Sequence, residues 1–260
     1  QGYSWGEQPL DVQTIKLNTN ENPYPPSPAV TDALSAFAAD SLRTYPQPTA
    51  DALREQIAEL HGLSKNQVVV THAGDEALRL AVTAYVSPGG TFAGTDPSYS
   101  LYPVLAQIQD AQTFNIDLEA NWSIPTDFAA RASAENAQLT CLVNPHAPSG
   151  RFTHAEDLHQ IARTISGVLL IDEAYVDFID PEIGYSSREF VEQHDNVLVL
   201  RTFSKGYSLA GLRLGYLLGD QELITPILEK TRDSYNVDAI SQSLGICLLY
   251  TSDAADERRG

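Results

Sequence analysis

The stretch Leu200-Arg201-Thr202-Phe203-Ser204-Lys205-Gly206-Tyr207-Ser208-Leu209-Ala210-Gly211-Leu212-Arg213-Leu214-Gly215 gathers a hydroxyl, a lysine, small residues and an arginine directly after an apolar run, Val197 to Leu200. Lysine is scarce in this chain (Lys16, Lys65, Lys205, Lys230), and Lys205 is the one set between apolar segments, where a solvated ammonium is costly. Burial lowers the pKa of such an amine and makes it nucleophilic, as carbonyl chemistry requires. A lone lysine on a glycine-rich loop is ordinarily a surface residue, but three further segments accompany this one. Thr71-His72-Ala73-Gly74-Asp75-Glu76 places small residues where a strand ends and a helix starts, so that free backbone N–H groups and a positive dipole end suit a phosphate. Ile171-Asp172-Glu173-Ala174-Tyr175 sets an acid after a buried strand, able to pair with a cation, bind a metal or cap a helix. Asp96-Pro97-Ser98-Tyr99-Ser100-Leu101-Tyr102 sets an aromatic just after a turn, able to stack on a ring or pack over the sheet edge. The six histidines are scattered and none forms an HExxH pair, which argues against a metal centre.

The elements that must position these residues are legible as changes of period. Residues 1–13 read as an extended arm, and Ile15 to Pro26, an apolar start followed by amides and prolines, as an ordered loop. Val30, Ala33, Leu34 and Phe37 predict an amphipathic helix from Pro28 to about Asp40; a second runs from Thr49 to His61 and stops at Gly62. From Gln67 onward, short apolar runs at Val68–Val70, Phe92–Ala93, Thr113–Phe114, Leu139–Val143, Val168–Ile171, Val197–Leu200 and Tyr216–Leu218 predict strands. Helices are expected between several of them, at Glu76–Val86, Tyr102–Gln109, Ala155–Thr164 and Gln221–Lys230. This alternation predicts an α/β domain of three layers, a mostly parallel sheet with helices on both faces, and functional loops at the carboxyl ends of its strands.

Composition narrows the class. With 43% apolar residues in 260, the chain can bury a large core. Its 16 basic and 34 acidic residues give a net charge of −18, which opposes unaided binding to nucleic acid or an anionic membrane. No apolar run is long enough to span a bilayer and the N-terminus lacks a signal pattern, so a cytoplasmic protein is expected. Cys141 and Cys247 offer no disulfide framework or zinc spacing. Methionine is absent, including at position 1, so that a missing N-terminal segment is expected.

A lysine, an acid thirty-three residues before it, an aromatic and a phosphate cradle are what pyridoxal phosphate needs. Asn20-Glu21-Asn22-Pro23-Tyr24, Asp172-Glu173-Ala174-Tyr175, and Ser204-Lys205 with Ala210-Gly211-Leu212-Arg213 resemble fold-type I aminotransferases, specifically the histidinol-phosphate aminotransferase family, over residues 13–246. The resemblance implies that Lys205 joins the cofactor's aldehyde and later shuttles a proton, that Asp172 keeps the pyridine nitrogen protonated, and that Tyr175 bonds the phenolic oxygen. It further implies that Tyr99 stacks on the ring and that Gly74, Asp75, Ser204 and Arg213 hold the phosphate. Tyr45 resembles the tyrosine that reaches the partner subunit's phosphate, which implies a homodimer, and Tyr24 lies on the loop that closes over substrate. The substrates implied are an amino-alcohol phosphate, histidinol phosphate, and a 2-oxo acid. Aromatic-amino-acid aminotransferases and threonine-phosphate decarboxylases share these motifs, and the sensor domain of a transcription regulator could hold the cofactor without turnover. One departure stands out: where the family carries Asn-Asn-Pro-Thr-Gly, this chain has His146-Ala147-Pro148-Ser149-Gly150, and Ala147 cannot donate to the phenolic oxygen as an asparagine does. The expected organisation is an arm and substrate-side loop over 1–29 and a cofactor-binding domain over 30–246. After Ile246 the helical pattern is expected to break into a tail, 247–260, that resembles a translated sequencing adapter. The family's C-terminal small domain, with its carboxylate-binding arginine, is then expected to be missing, and the chain alone to bind cofactor weakly and transaminate poorly.

Overall fold

A computed structural model describes residues 3, 6–11 and 13–256. The elements follow as α1 (Pro28–Ala36), α2 (Asp51–His61), β1 (Val68–Thr71), α3 (Ala73–Tyr85), β2 (Thr91–Asp96), α4 (Leu101–Ile108), β3 (Gln112–Asp117), α5 (Phe128–Ala134) and β4 (Ala137–Val143). Then come α6 (Ala155–Thr164), β5 (Val168–Asp172), α7 (Ser187–Gln193), β6 (Val197–Thr202), β7 (Gly215–Gly219), α8 (Gln221–Pro226) and α9 (Ala239–Asp256). The seven strands lie in the order β1-β7-β6-β5-β4-β2-β3. Every pairing from β6 to β3 is parallel, whereas β7 runs antiparallel to both β6 and β1.

Each expected strand is present; β1, β4, β5, β6 and β7 are buried on both faces and so are apolar along their length, whereas β3, at the sheet's edge, is largely exposed. Alternation then deals its side chains to two cores. Leu169, Ile171, Val197 and Val199 face the layer holding α2, α6, α7 and α9, while Leu170, Leu198 and Leu200 face α3, α4 and α8. The helices differ from expectation in three places. α1 stops at Ala36, where Phe37 turns extended, and a short 3-10 turn covers Ala39–Arg43. Pro226 lacks an amide hydrogen, so α8 ends there and the chain continues as one π-turn, Ile227–Thr231. α5 and α7, seven residues each, are too short for a helical period to repeat, and the pattern passes over them.

The break expected after Ile246 does not occur: α9 continues to Asp256, and Leu248 and Leu249 are buried in the core it shares with α2. The two helices approach closely at Gly245, where an added Cβ would lie 3.1 Å from both methyls of Leu53. Leu53 is wholly buried. Leu53→Ala should therefore lower unfolding free energy by about 2–5 kcal/mol in a denaturant titration, the cost of a core cavity that cannot collapse.

Candidate active site

Four loops meet at the carboxyl edge of the sheet. At the first, Ala73 takes a φ of 67° and α3 begins abruptly, leaving the amides of its first turn, at Gly74 and Asp75, without intrahelical acceptors. β7 passes close beneath. A Cβ on Gly215 would come within 3.0 Å of the Gly74 nitrogen and the Arg201 carbonyl oxygen, so only glycine permits this approach. At the second loop, Tyr99 follows β2, its ring 5.6 Å from that of Tyr102 and perpendicular to it. The third is the end of β5, where Asp172 is buried. Its Oδ2 accepts from the Tyr102 hydroxyl (2.7 Å) and its Oδ1 from the Ala174 amide (3.0 Å). Burial pushes the Asp172 carboxyl above its ordinary pKa, and these two donors oppose that rise.

The fourth loop leaves β6 and returns at β7. Its neck is closed by the Phe203 amide donating to the Leu214 carbonyl (3.0 Å), and Ser208 and Arg213 bend it with left-handed backbones. Lys205 stands on this loop, half-buried, and burial lowers its pKa below that of an ordinary lysine. Among the described residues no carboxylate pairs with it; Nζ donates to the carbonyls of Thr19 (2.9 Å) and Asn20 (3.3 Å) and sits 5.6 Å from the centre of the Tyr175 ring. Arg213 reaches back to Asp75 (2.9 Å), which also accepts from the Tyr99 hydroxyl (3.3 Å).

The structure thus brings Gly74, Asp75, Tyr99, Asp172, Tyr175, Ser204, Lys205 and Arg213 to the walls of one cleft of about 750 Å³. Ser98, whose buried Oγ has no partner among the described residues, lines the same cleft. Tyr24 and Tyr45 lie outside it. They are 74% and 79% exposed, and Tyr45 stacks on Tyr235 with ring centres 4.5 Å apart.

Sequence reasoning gave no role to Tyr102, because a tyrosine on an amphipathic helix reads as packing. Of the two adjacent acids, Asp172 lines the cleft and Glu173 does not. The pleat sends Glu173 away from the cleft into a buried cluster, where it accepts from Tyr185 (2.8 Å) and Ser187 (2.5 Å) and lies 3.6 Å from Arg201. Arg201 in turn holds Asp177 at 2.7 Å, and Asp177 packs so tightly on Gly206 that a Cβ there would sit 2.6 Å from its carboxyl carbon. The cluster braces the loop beside Lys205. Asn144 and His146, the two side chains near Ala147 able to assist Tyr175, are engaged elsewhere. Asn144 bonds the Thr153 backbone through both amide atoms, and His146 bonds Ser149 and the Pro97 carbonyl.

Residues 12–258 match the family model for aminotransferase class I and II. The chain belongs to that family. Within it the chain falls among the histidinol-phosphate aminotransferases. It is 41% identical over 240 residues to histidinol-phosphate aminotransferase 1 of Trichormus variabilis, covering 92% of this chain and 66% of that protein. Identity to the Geotalea daltonii histidinol-phosphate aminotransferase is 40% over 261 residues, covering all of this chain and 72% of that one. The chain therefore spans about two thirds of the length of these curated relatives. Among solved structures, the Sinorhizobium meliloti histidinol-phosphate aminotransferase in complex with pyridoxal-5'-phosphate superposes with a TM-score of 0.84 at 25% identity, covering 92% of this chain and 65% of that one. The cleft fits such a cofactor. It offers an unpaired amine for an aldehyde, a buried carboxylate for a ring nitrogen, two aromatics beside a ring, and helix amides, a hydroxyl and a guanidinium for a phosphate.

The lowered pKa of Lys205 has a checkable sign. More of its amine is neutral at any given pH, so it should acylate earlier as pH rises. In competitive labelling read by mass spectrometry, Lys205 should reach half its plateau at a lower pH than Lys65, whose contact with Glu55 raises its pKa. The reverse order would refute the local field described above.

Proposed function

We propose that the protein is a pyridoxal-phosphate-dependent aminotransferase that moves an amino group between histidinol phosphate and a 2-oxo acid, 2-oxoglutarate, in histidine biosynthesis. The observation that carries this reading is the convergence of an unpaired, half-buried Lys205 and a buried, doubly hydrogen-bonded Asp172 on one cleft. The relatives' shared designation supplies the substrate.

When bound, pyridoxal phosphate supplies an aldehyde that captures amines and a protonated ring that accommodates the electron pair left when an α-proton departs. The chain's residues do the rest. Lys205 Nζ, driven toward its neutral form by burial, takes and returns the proton at the substrate's α-carbon. Asp172, backed by the Tyr102 hydroxyl and the Ala174 amide, holds the proton on the ring nitrogen. Tyr175 would donate to the phenolic oxygen and Tyr99 would pack against the ring. Gly74 and Asp75 offer amides, Ser204 a hydroxyl and Arg213 a guanidinium to the phosphate, with Arg213 also neutralising the Asp75 carboxylate that would otherwise repel it. The exposed Tyr45 fits a homodimer in which it crosses to the partner subunit's phosphate, and the exposed Tyr24 fits a loop closing over substrate. Among the described residues no helix is long and apolar enough to cross a membrane; a cytoplasmic site of action is part of the proposal.

The test is a half-reaction screen with the chain completed by the part of the Geotalea relative that it does not cover. Loss of the cofactor's visible absorbance should be fastest with histidinol phosphate, by at least about tenfold over phenylalanine and threonine phosphate, the discrimination that about 1.4 kcal/mol of differential transition-state binding gives. Faster reaction with either competitor would reassign the substrate, and decarboxylation of threonine phosphate would reassign the reaction.

A further inference from the structure

The loop ahead of α1 touches the cleft at three points that its motif does not announce. The carbonyls of Thr19 and Asn20 cap the Lys205 amine, the Asn22 amide donates to the Lys205 carbonyl (3.0 Å), and the Asn20 amide donates to the Tyr175 hydroxyl oxygen (2.9 Å). Asn20 achieves the last contact from a left-handed backbone, with φ of 52°, a conformation asparagine tolerates better than most residues. The loop is pinned from outside by Lys16, which holds both Thr19 (2.5 Å) and Glu21 (2.6 Å).

On the opposite wall, the turn at 144–150 contributes only a methyl at Ala147, while Asn144 and His146 are bound to their own surroundings. The side-chain amide that reaches Tyr175 comes instead from the loop ahead of α1. A phenol has one hydrogen to give and an oxygen that accepts. With the Asn20 N–H on that oxygen, the Tyr175 O–H is left to donate elsewhere, and a chain of two such bonds polarises the second donor.

We propose that Asn20 is the positioning residue for Tyr175: it fixes the hydroxyl as a donor toward the anionic ring oxygen of the cofactor, an oxygen to which Ala147 can give no hydrogen bond. The inference rests on the cofactor reading above, but its first test does not. In the cofactor-free chain labelled with 3-fluorotyrosine, the resonance that Tyr175→Phe abolishes should move on Asn20→Ala while those of Tyr85 and Tyr102 stay in place. An unmoved Tyr175 resonance would overturn the proposal whatever the cofactor does.

The second test uses the cofactor-loaded chain and reads the pH midpoint of its visible absorbance. A donor on the ring oxygen weakens that oxygen's hold on the neighbouring proton, so weakening the donor raises the midpoint. Asn20→Ala should raise it by about 0.4–1 pH unit, the shift that one ordinary hydrogen bond supports, and should add nothing in a Tyr175→Phe background. An unchanged midpoint, or the same shift without the Tyr175 hydroxyl, would overturn the role of Asn20 and leave the cofactor assignment standing. Absence of any bound-cofactor absorbance in the unsubstituted chain, even with the cofactor in large excess, would instead count against that assignment.

Discussion

The structure depends on keeping one amine and one carboxylate in the same partly dry cleft without letting them neutralise each other. Burial pushes Asp172 and Lys205 in opposite directions, the acid up and the amine down, and so drives both toward their uncharged forms. Each is stabilised by neutral partners: a phenol and an amide for Asp172, two carbonyls for Lys205. A direct ion pair would relieve both groups and leave neither available. A ligand with a cationic nitrogen at one end and an electrophilic carbon at the other satisfies them together, and in doing so draws Asp172 back toward its ionised state.

Holding that arrangement falls to residues that never touch the cleft. Strand alternation sends Asp172 to the cleft and Glu173 into the cluster with Arg201 and Asp177. The cluster ties the end of β5 to the base of the lysine loop. Gly206 and Gly215 let the loop and β7 approach neighbours at distances that a side chain forbids. The antiparallel β7 returns the loop to the sheet beside β1, so that Arg213 and the first turn of α3 share one corner. The phosphate end of the cleft is thus a product of sheet topology as much as of the local motif.

The central strands were legible because strands covered on both faces leave apolar runs, and eight of the residues lining the cleft were legible because each lies in a short local motif at a strand end. What the sequence did not reveal was contact between distant segments. Tyr102 reaches Asp172 across seventy residues and Asn20 reaches Tyr175 across 155, and neither pairing has any periodic or local signature. The strand order, with β1 beside β7, is hidden for the same reason. The end of α9 misled for a different one: the sequence turns from apolar to polar after Tyr250, yet Leu248 and Leu249 lie in the core.

If Asp172 stands ready for a protonated ring nitrogen, the chain must distinguish pyridoxal phosphate from an analogue whose ring nitrogen is replaced by carbon, a difference read from the two affinities in the unsubstituted chain and in Asp172→Asn. Loss of one charge-assisted hydrogen bond of about 1.5–3 kcal/mol should weaken the analogue by about tenfold to a hundredfold in the unsubstituted chain, and the preference should vanish in Asp172→Asn. Equal binding of both compounds to the unsubstituted chain would contradict the account.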